Sequence, residues 1–252
     1  MPKINVYLPD ELADAVREAG IPVSAVCQRS LEQAVRRLAD LRAAVAGQLD
    51  LDEALGRLPA FTKKARTAVL RAVEQARAQE APTVGTAHLL GGLVSEGSNL
   101  ALSILRAVDV DPERLGRELA RRPQDEPPSS GADPSVLAFS APAAAALQLA
   151  VTEAISLGHN YVGGEHLLLG LATEPDGSGG GTLREAGAEP RGLRRAVTAA
   201  LEGYMYLRSQ QAATGAAPAL ETVVADAVRQ QLAPVVERLG AVEERLDRAE
   251  RS

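Results

Sequence analysis

Three histidines, one cysteine and one run of glycines are the groups from which this chain would have to assemble any chemistry. His88 and His166 stand 78 positions apart at matching places in two similar stretches, and a pair of imidazoles is the beginning of a metal site. No cysteine or acidic cluster surrounds both copies. The pattern therefore predicts two internal hydrogen-bonding histidines and no metal. Cys27 lacks the neighbours that would make a reactive thiolate, so it reads as a small buried apolar side chain. The glycine-dense stretch Asp176 to Gly181 is followed by Thr182 and Leu183, without the Gly-Lys-Ser/Thr string whose backbone amides and lysine cradle a phosphate. It reads as a flexible linker within its domain. No nucleophile, base and orienting group can be assembled, which excludes an enzyme and predicts a binding protein without a cofactor.

The elements that position these residues come in duplicate. Moved forward by 78 positions without a gap, Phe61 falls on Phe139, Ala65 on Ala143, Ala72 on Ala150, Val84-Gly85 on Val162-Gly163, His88-Leu89-Leu90 on His166-Leu167-Leu168, and Leu105-Arg106 on Leu183-Arg184. A fixed period means one supersecondary unit built twice, each copy too small to bury its apolar face alone. Within a copy, Phe61, Ala65, Ala68, Val69, Ala72, Val73 and Ala76 trace a helical stripe. Residues 83–86 form a turn, and three further helices follow from Ala87, Ala101 and Pro112. The expectation is a mainly α, pseudo-twofold bundle of repeats 61–120 and 139–201 joined by a connector at 121–138.

Few aromatic residues and a bias to alanine, leucine, arginine and glutamate support helical structure. A lone cysteine suits a reducing cytoplasm, and the absence of a basic-then-apolar opening or of eighteen continuous apolar residues argues against secretion and against a membrane partner. The net charge of −6 argues against chain-wide affinity for nucleic acid but leaves a local one open.

The start of the chain differs from the rest. Lys3, Asn5 and Tyr7 alternate with Ile4, Val6 and Leu8, a half-buried strand with nothing obvious to pair with. A short helix from Pro9-Asp10-Glu11 to Gly20 follows, then a longer one with Ser24 as N-cap and Cys27, Leu31, Ala34, Val35, Leu38, Leu41 and Val45 at helical spacing. Strand, helix, turn and helix over residues 1–46 resemble the ribbon-helix-helix family of DNA-binding proteins. The resemblance implies that two chains pair their strands in the major groove, that Lys3, Asn5 and Tyr7 touch base edges, and that the amide end of the helix at Ser24 holds a phosphate. Residues 1–50 carry six basic against seven acidic side chains, so a dimerising clasp without DNA is the alternative.

Phe-Thr-x-x-Ala-Arg, Val-Gly-Thr-Ala-His-Leu-Leu-Gly-Gly-Leu and the string Gly158 to Leu171 make residues 58–204 resemble the double-repeat N-terminal domain of Clp unfoldases, nearest the ClpC type. That implies an eight-helix bundle that binds protein clients, adaptors and cyclic-peptide antibiotics, here without the ATP-driven ring. The family's ligand groove maps to Leu58, Phe139, Ala144 and Gln148, with Phe61 in the core and Phe139 partly exposed. Glu165 matches a phosphoarginine-reading glutamate, where repeat one has Ala87; a plain stabilisation of its helix N-terminus is the alternative. Residues 47–57 and 205–219 read as linkers. From 220 to 252, Val228, Leu232, Val235, Leu239, Val242 and Leu246 trace a coiled-coil seam interrupted by Pro234. The assembled expectation is a homodimer or higher homo-oligomer that captures peptides as a decoy and regulates transcription, with an adaptor of Clp protease components as the alternative.

Overall fold

The computed structural model describes residues 4–45, 60–121 and 137–214; Lys3, Leu58 and the seam beyond 220 lie outside them. Two helices precede the body, α1 (Asp10–Glu18) and α2 (Val23–Val45). Repeat one is α3 (Lys63–Ala78), β1 (Thr83–Val84), α4 (Thr86–Glu96), α5 (Leu100–Ala107) and α6 (Pro112–Leu119). Repeat two is β2 (Ala138–Phe139), α7 (Ala141–Ser156), α8 (Gly164–Thr173), α9 (Ser178–Glu185) and α10 (Pro190–Thr214). The eight expected body helices are present. The last continues through Thr214, into residues that the sequence reading assigned to a linker.

Each repeat begins in the same way, for the same local reason. Thr62 and Ser140 accept the amides of Ala65 and Ala143 at 3.2 and 3.0 Å, satisfying donors that a helix start leaves open. The helices they start carry the predicted stripes: Ala65, Ala68, Val69, Ala72, Val73 and Ala76 on α3, and Ala143, Ala146, Leu147, Ala150, Val151 and Ala154 on α7, are all buried.

The two repeats are laced together by exchange. Val84 pairs in parallel with Phe139, and the equivalent residues in reversed roles, Phe61 and Val162, form the matching bridge. Ser140 donates its amide to the Val84 carbonyl at 3.1 Å, and Thr62 donates to Val162 at 2.9 Å. Each repeat thus completes the other's backbone hydrogen bonds, which is why neither half is expected to stand alone. The turn predicted at 83–86 is therefore partly a strand. Two residues are too few to show a period of two.

Helix pairs α3/α4 and α7/α8 approach backbone to backbone at one glycine each. A Cβ on Gly92 would lie 2.2 Å from the Ala68 carbonyl oxygen, and one on Gly170 would lie 2.3 Å from that of Ala146. The stretch expected to be a flexible linker is corrected in the same terms: residues 178–185 are helix α9, and a Cβ on Gly179 would lie 2.4 Å from the Thr86 carbonyl oxygen. These glycines serve close packing across the repeat boundary. The Gly179 amide donates to Thr86 Oγ1 at 2.9 Å, and Glu174, buried, accepts the amides of Asp176 and Gly177 just before α9.

Residues 4–35 contribute nothing to this core. Ile4, Val6, Leu12, Val26, Leu31 and Val35 are all exposed, and α1 buries no residue. The strand expected at the start is not part of a ladder: residues 4–8 pair with no other segment among the described residues. Only the last turns of α2 join the body, burying Leu41, Ala44 and Val45.

Candidate ligand face, histidine cluster and N-terminal head

The groove residues separate once placed in three dimensions. Ala144 and Gln148 lie one turn apart on α7, which puts them on one helix face. Phe139 does not join them: its side chain is 0% exposed, and the expectation of a partly exposed platform is corrected. It is held in the inter-repeat pairing with Val84, the same core place that Phe61 takes at 5% exposure. The α7 face is not open either. Helix α2 packs against α7, with Arg42 Nε 3.5 Å from Gln148 Oε1 and Arg37 donating to the His159 carbonyl at 2.8 Å. Sequence reasoning missed this contact, because the apolar stripe of α2 runs unbroken from Cys27 to Val45 and does not say which part faces what.

The two equivalent histidines are internal hydrogen-bonders, as expected. His88 Nδ1 accepts the Gly85 amide at 3.0 Å and Nε2 faces Gln79 Oε1 at 3.1 Å. His166 Nδ1 accepts the Gly163 amide at 2.9 Å, so its proton sits on Nε2 and is donated to His159 Nδ1, also at 2.9 Å. The repeats thus differ in the second partner, glutamine in one and histidine in the other. His159 stacks on Tyr161 with ring centroids 5.1 Å apart and planes 9° apart. Its place in the Gly158 to Leu171 string was visible, its bond to His166 was not. No group of three or more metal-ligating side chains occurs among the described residues.

Burial, reinforced by the neighbouring His159, pushes His166 down to about 3, and burial lowers His159 as well. Glu165 is 4% exposed. Burial raises its carboxyl, against the opposing pull of its own amide and the Tyr161 side chain. Its oxygen lies 3.3 Å from His166 Nδ1, but that nitrogen is already an acceptor and the ring is neutral, so the contact is no ion pair. Glu165 is turned back on its own helix end, over Gly163.

An acid-stability test follows from the histidine. The unfolded chain takes up this proton near the ordinary value of 6.5, the folded chain only near 3. Folding therefore loses stability as pH falls from about 6.5 toward 3. His166→Gln keeps an acceptor for the Gly163 amide and removes the titration. Urea midpoints measured against pH should decline less steeply for H166Q than for wild type across that window. Parallel curves would mean that the native ring protonates freely.

At the head, Asn5, Tyr7 and Ser24 are exposed, Tyr7 at 91%. Helix α2 begins at Val23, so Ser24 is not the cap but a first-turn residue among the free amides. Residues 4–7 lie along α2 and leave an open groove of about 690 Å³ lined by Ile4, Val6, Val23, Cys27 and Leu31 among others. Cys27 is half-buried there, short of the full burial expected.

A duplicated helical body laced by short strand pairings, with an exposed apolar head, defines the class: a repeat-built, mainly α module. The family model for the Clp repeat (R) N-terminal domain matches residues 60–172 and again 138–234, and the chain belongs to that family. It is 35% identical over 137 residues to chloroplastic chaperone protein ClpC1 of Oryza sativa subsp. japonica, covering 54% of this chain and 15% of that protein. The chloroplastic ClpC1 of Arabidopsis thaliana is likewise 35% identical over 137 residues, with 54% and 14% covered. The chain spans about 15% of the length of these relatives. Among solved structures, the N-terminal domain of the chaperone ClpD from Arabidopsis thaliana aligns at 24% identity with a TM-score of 0.39, covering 57% of this chain and 95% of that one. No helix of the described residues is long and apolar enough to cross a membrane.

Proposed function

We propose that this chain is a non-catalytic receptor in which a Clp-type repeat body captures peptide ligands, cyclic-peptide antibiotics or protein clients as a decoy, and a paired head regulates transcription by binding DNA. The observation that carries the reading is the head. Its large apolar side chains at 4, 6, 12, 26, 31 and 35 are exposed in the single chain, and exposed apolar surface of that extent marks an association site. The partner is a second copy. Two strands of residues 4–8 would satisfy each other's edges, Ile4, Val6 and Leu8 would turn inward, and Asn5 and Tyr7, together with Lys3, would face base edges in the major groove. The first-turn amides around Ser24 would meet a phosphate.

The near-neutral charge of the head favours a second reading, in which the dimer is an adaptor of Clp protease components and touches no DNA. A gel-shift titration with the full chain separates the two. The regulator reading expects salt-dependent binding to the chain's own promoter region, and a change of at least fivefold in affinity when a cyclic peptide occupies the body. Binding unaffected by ligand contradicts the coupling. No binding at low salt, with recovery of a Clp ATPase in a pull-down, favours the adaptor.

A further inference from the structure

The contact between α2 and α7 does not belong to the symmetry of the body. The dominant contact within each repeat, α3 on α4 and α7 on α8, has its counterpart in the other, yet α2 makes no comparable contact with α3, the repeat-one equivalent of α7. The body is thus complete as a pseudo-twofold unit, and α2 is laid on one of its faces. The two side-chain bonds run in opposite order along the chain, Arg37 to His159 and Arg42 to Gln148, so α2 lies antiparallel to α7. Interleaved with those arginines runs an apolar stripe: Leu38 half-buried, then Leu41, Ala44 and Val45 buried at 1, 5 and 6% exposure.

A face that accepts this stripe states what it accepts. We propose that the α7 face around Gln148 is a helix-docking groove which the chain fills with its own residues 37–45, and that its ligand is an amphipathic helix of the same pattern: apolar residues at three- and four-residue spacing, interleaved with basic donors. This deepens the receptor reading above and rests on it, naming the ligand's chemistry and the device that regulates access. Fourteen residues of sequence join Val45 to Ala60, so the inner helix competes at the high local concentration of a tethered segment. An external helix binds only to the fraction of molecules whose latch is open, and its apparent affinity is reduced by that fraction. Because α2 is one helix from Val23 to Val45, displacing its end also moves the head.

The probe is a fluorescent peptide of residues 33–45, titrated by anisotropy into the full chain without DNA. Leu41→Asp puts a charge under the latch and opens it; Leu38→Asp, at a half-buried position, does the same with less risk to folding, and circular dichroism verifies both. The expected result is binding at least tenfold tighter to each folded variant than to wild type, and none to either by a control peptide carrying Asp at 38 and 41. Equal affinity for wild type and variants overturns the latch. Binding of the control peptide as tightly as the probe, or no binding to an opened variant, overturns the groove. Since no DNA is present, these failures are distinct from failure of the operator reading.

Discussion

Gly170→Ala is expected to destabilise the protein by about 3 kcal/mol or more, although glycine to alanine within a helix ordinarily gains up to ~1 kcal/mol. The reversal is geometric. The added methyl would lie 2.3 Å from the Ala146 carbonyl oxygen and 2.8 Å from the Ala150 amide nitrogen, both backbone atoms of the facing helix, so relief requires α7 and α8 to move apart. That movement opens contacts along a face where Ala146, Leu147, Leu168 and Leu171 are all buried. Gly192 supplies the control, because nothing lies within 4 Å of its would-be Cβ; Gly192→Ala should leave stability unchanged or slightly raised. Thermal melts of the three proteins decide the matter. A stable Gly170→Ala would mean that the two helices are not in backbone contact.

Phe139→Ala is expected to cost about 3–5 kcal/mol, the range for emptying a closed aromatic site. Phe139 is fully enclosed, and its backbone forms the pairing with Val84 that joins the repeats. An exposed ligand platform would behave in the opposite way, with a stability loss below about 1 kcal/mol and a large loss of ligand binding. Urea unfolding separates the two. Phe61→Ala should resemble Phe139→Ala, since the pairing of Phe61 with Val162 is the equivalent one.

Much of the body could be read from the chain because duplication writes each constraint twice. The pairs Gly92 and Gly170, His88 and His166, and Thr62 and Ser140 hold matching structural roles. What could not be read is how the copies interlock. The pairings of Val84 with Phe139 and Phe61 with Val162 involve segments too short for any periodicity, so a phenylalanine at the head of each repeat could be core or surface until the partner segment was placed. Composition misled at Asp176 to Gly181, where glycines that suggest a flexible linker instead allow α9 to touch Thr86. The proposed ligand face is half legible. Ala144 and Gln148 share a helix face as spacing dictates, but the helix lying against that face comes from residues more than a hundred positions earlier. A stripe running from Cys27 to Val45 cannot say that its first half stays exposed while its last turns rest on the body.

The proposed function rests on two chains meeting at the exposed head and on the assembly contacting DNA. Mapping the DNA bound by the full chain across the genome of its native cell, with and without a cyclic peptide directed at Clp N-terminal domains, tests this most directly. The account predicts discrete sites that disappear when Asn5 and Tyr7 are replaced by alanine and whose occupancy changes when the peptide is added. A profile indistinguishable from that of the alanine variant, with or without peptide, would contradict it.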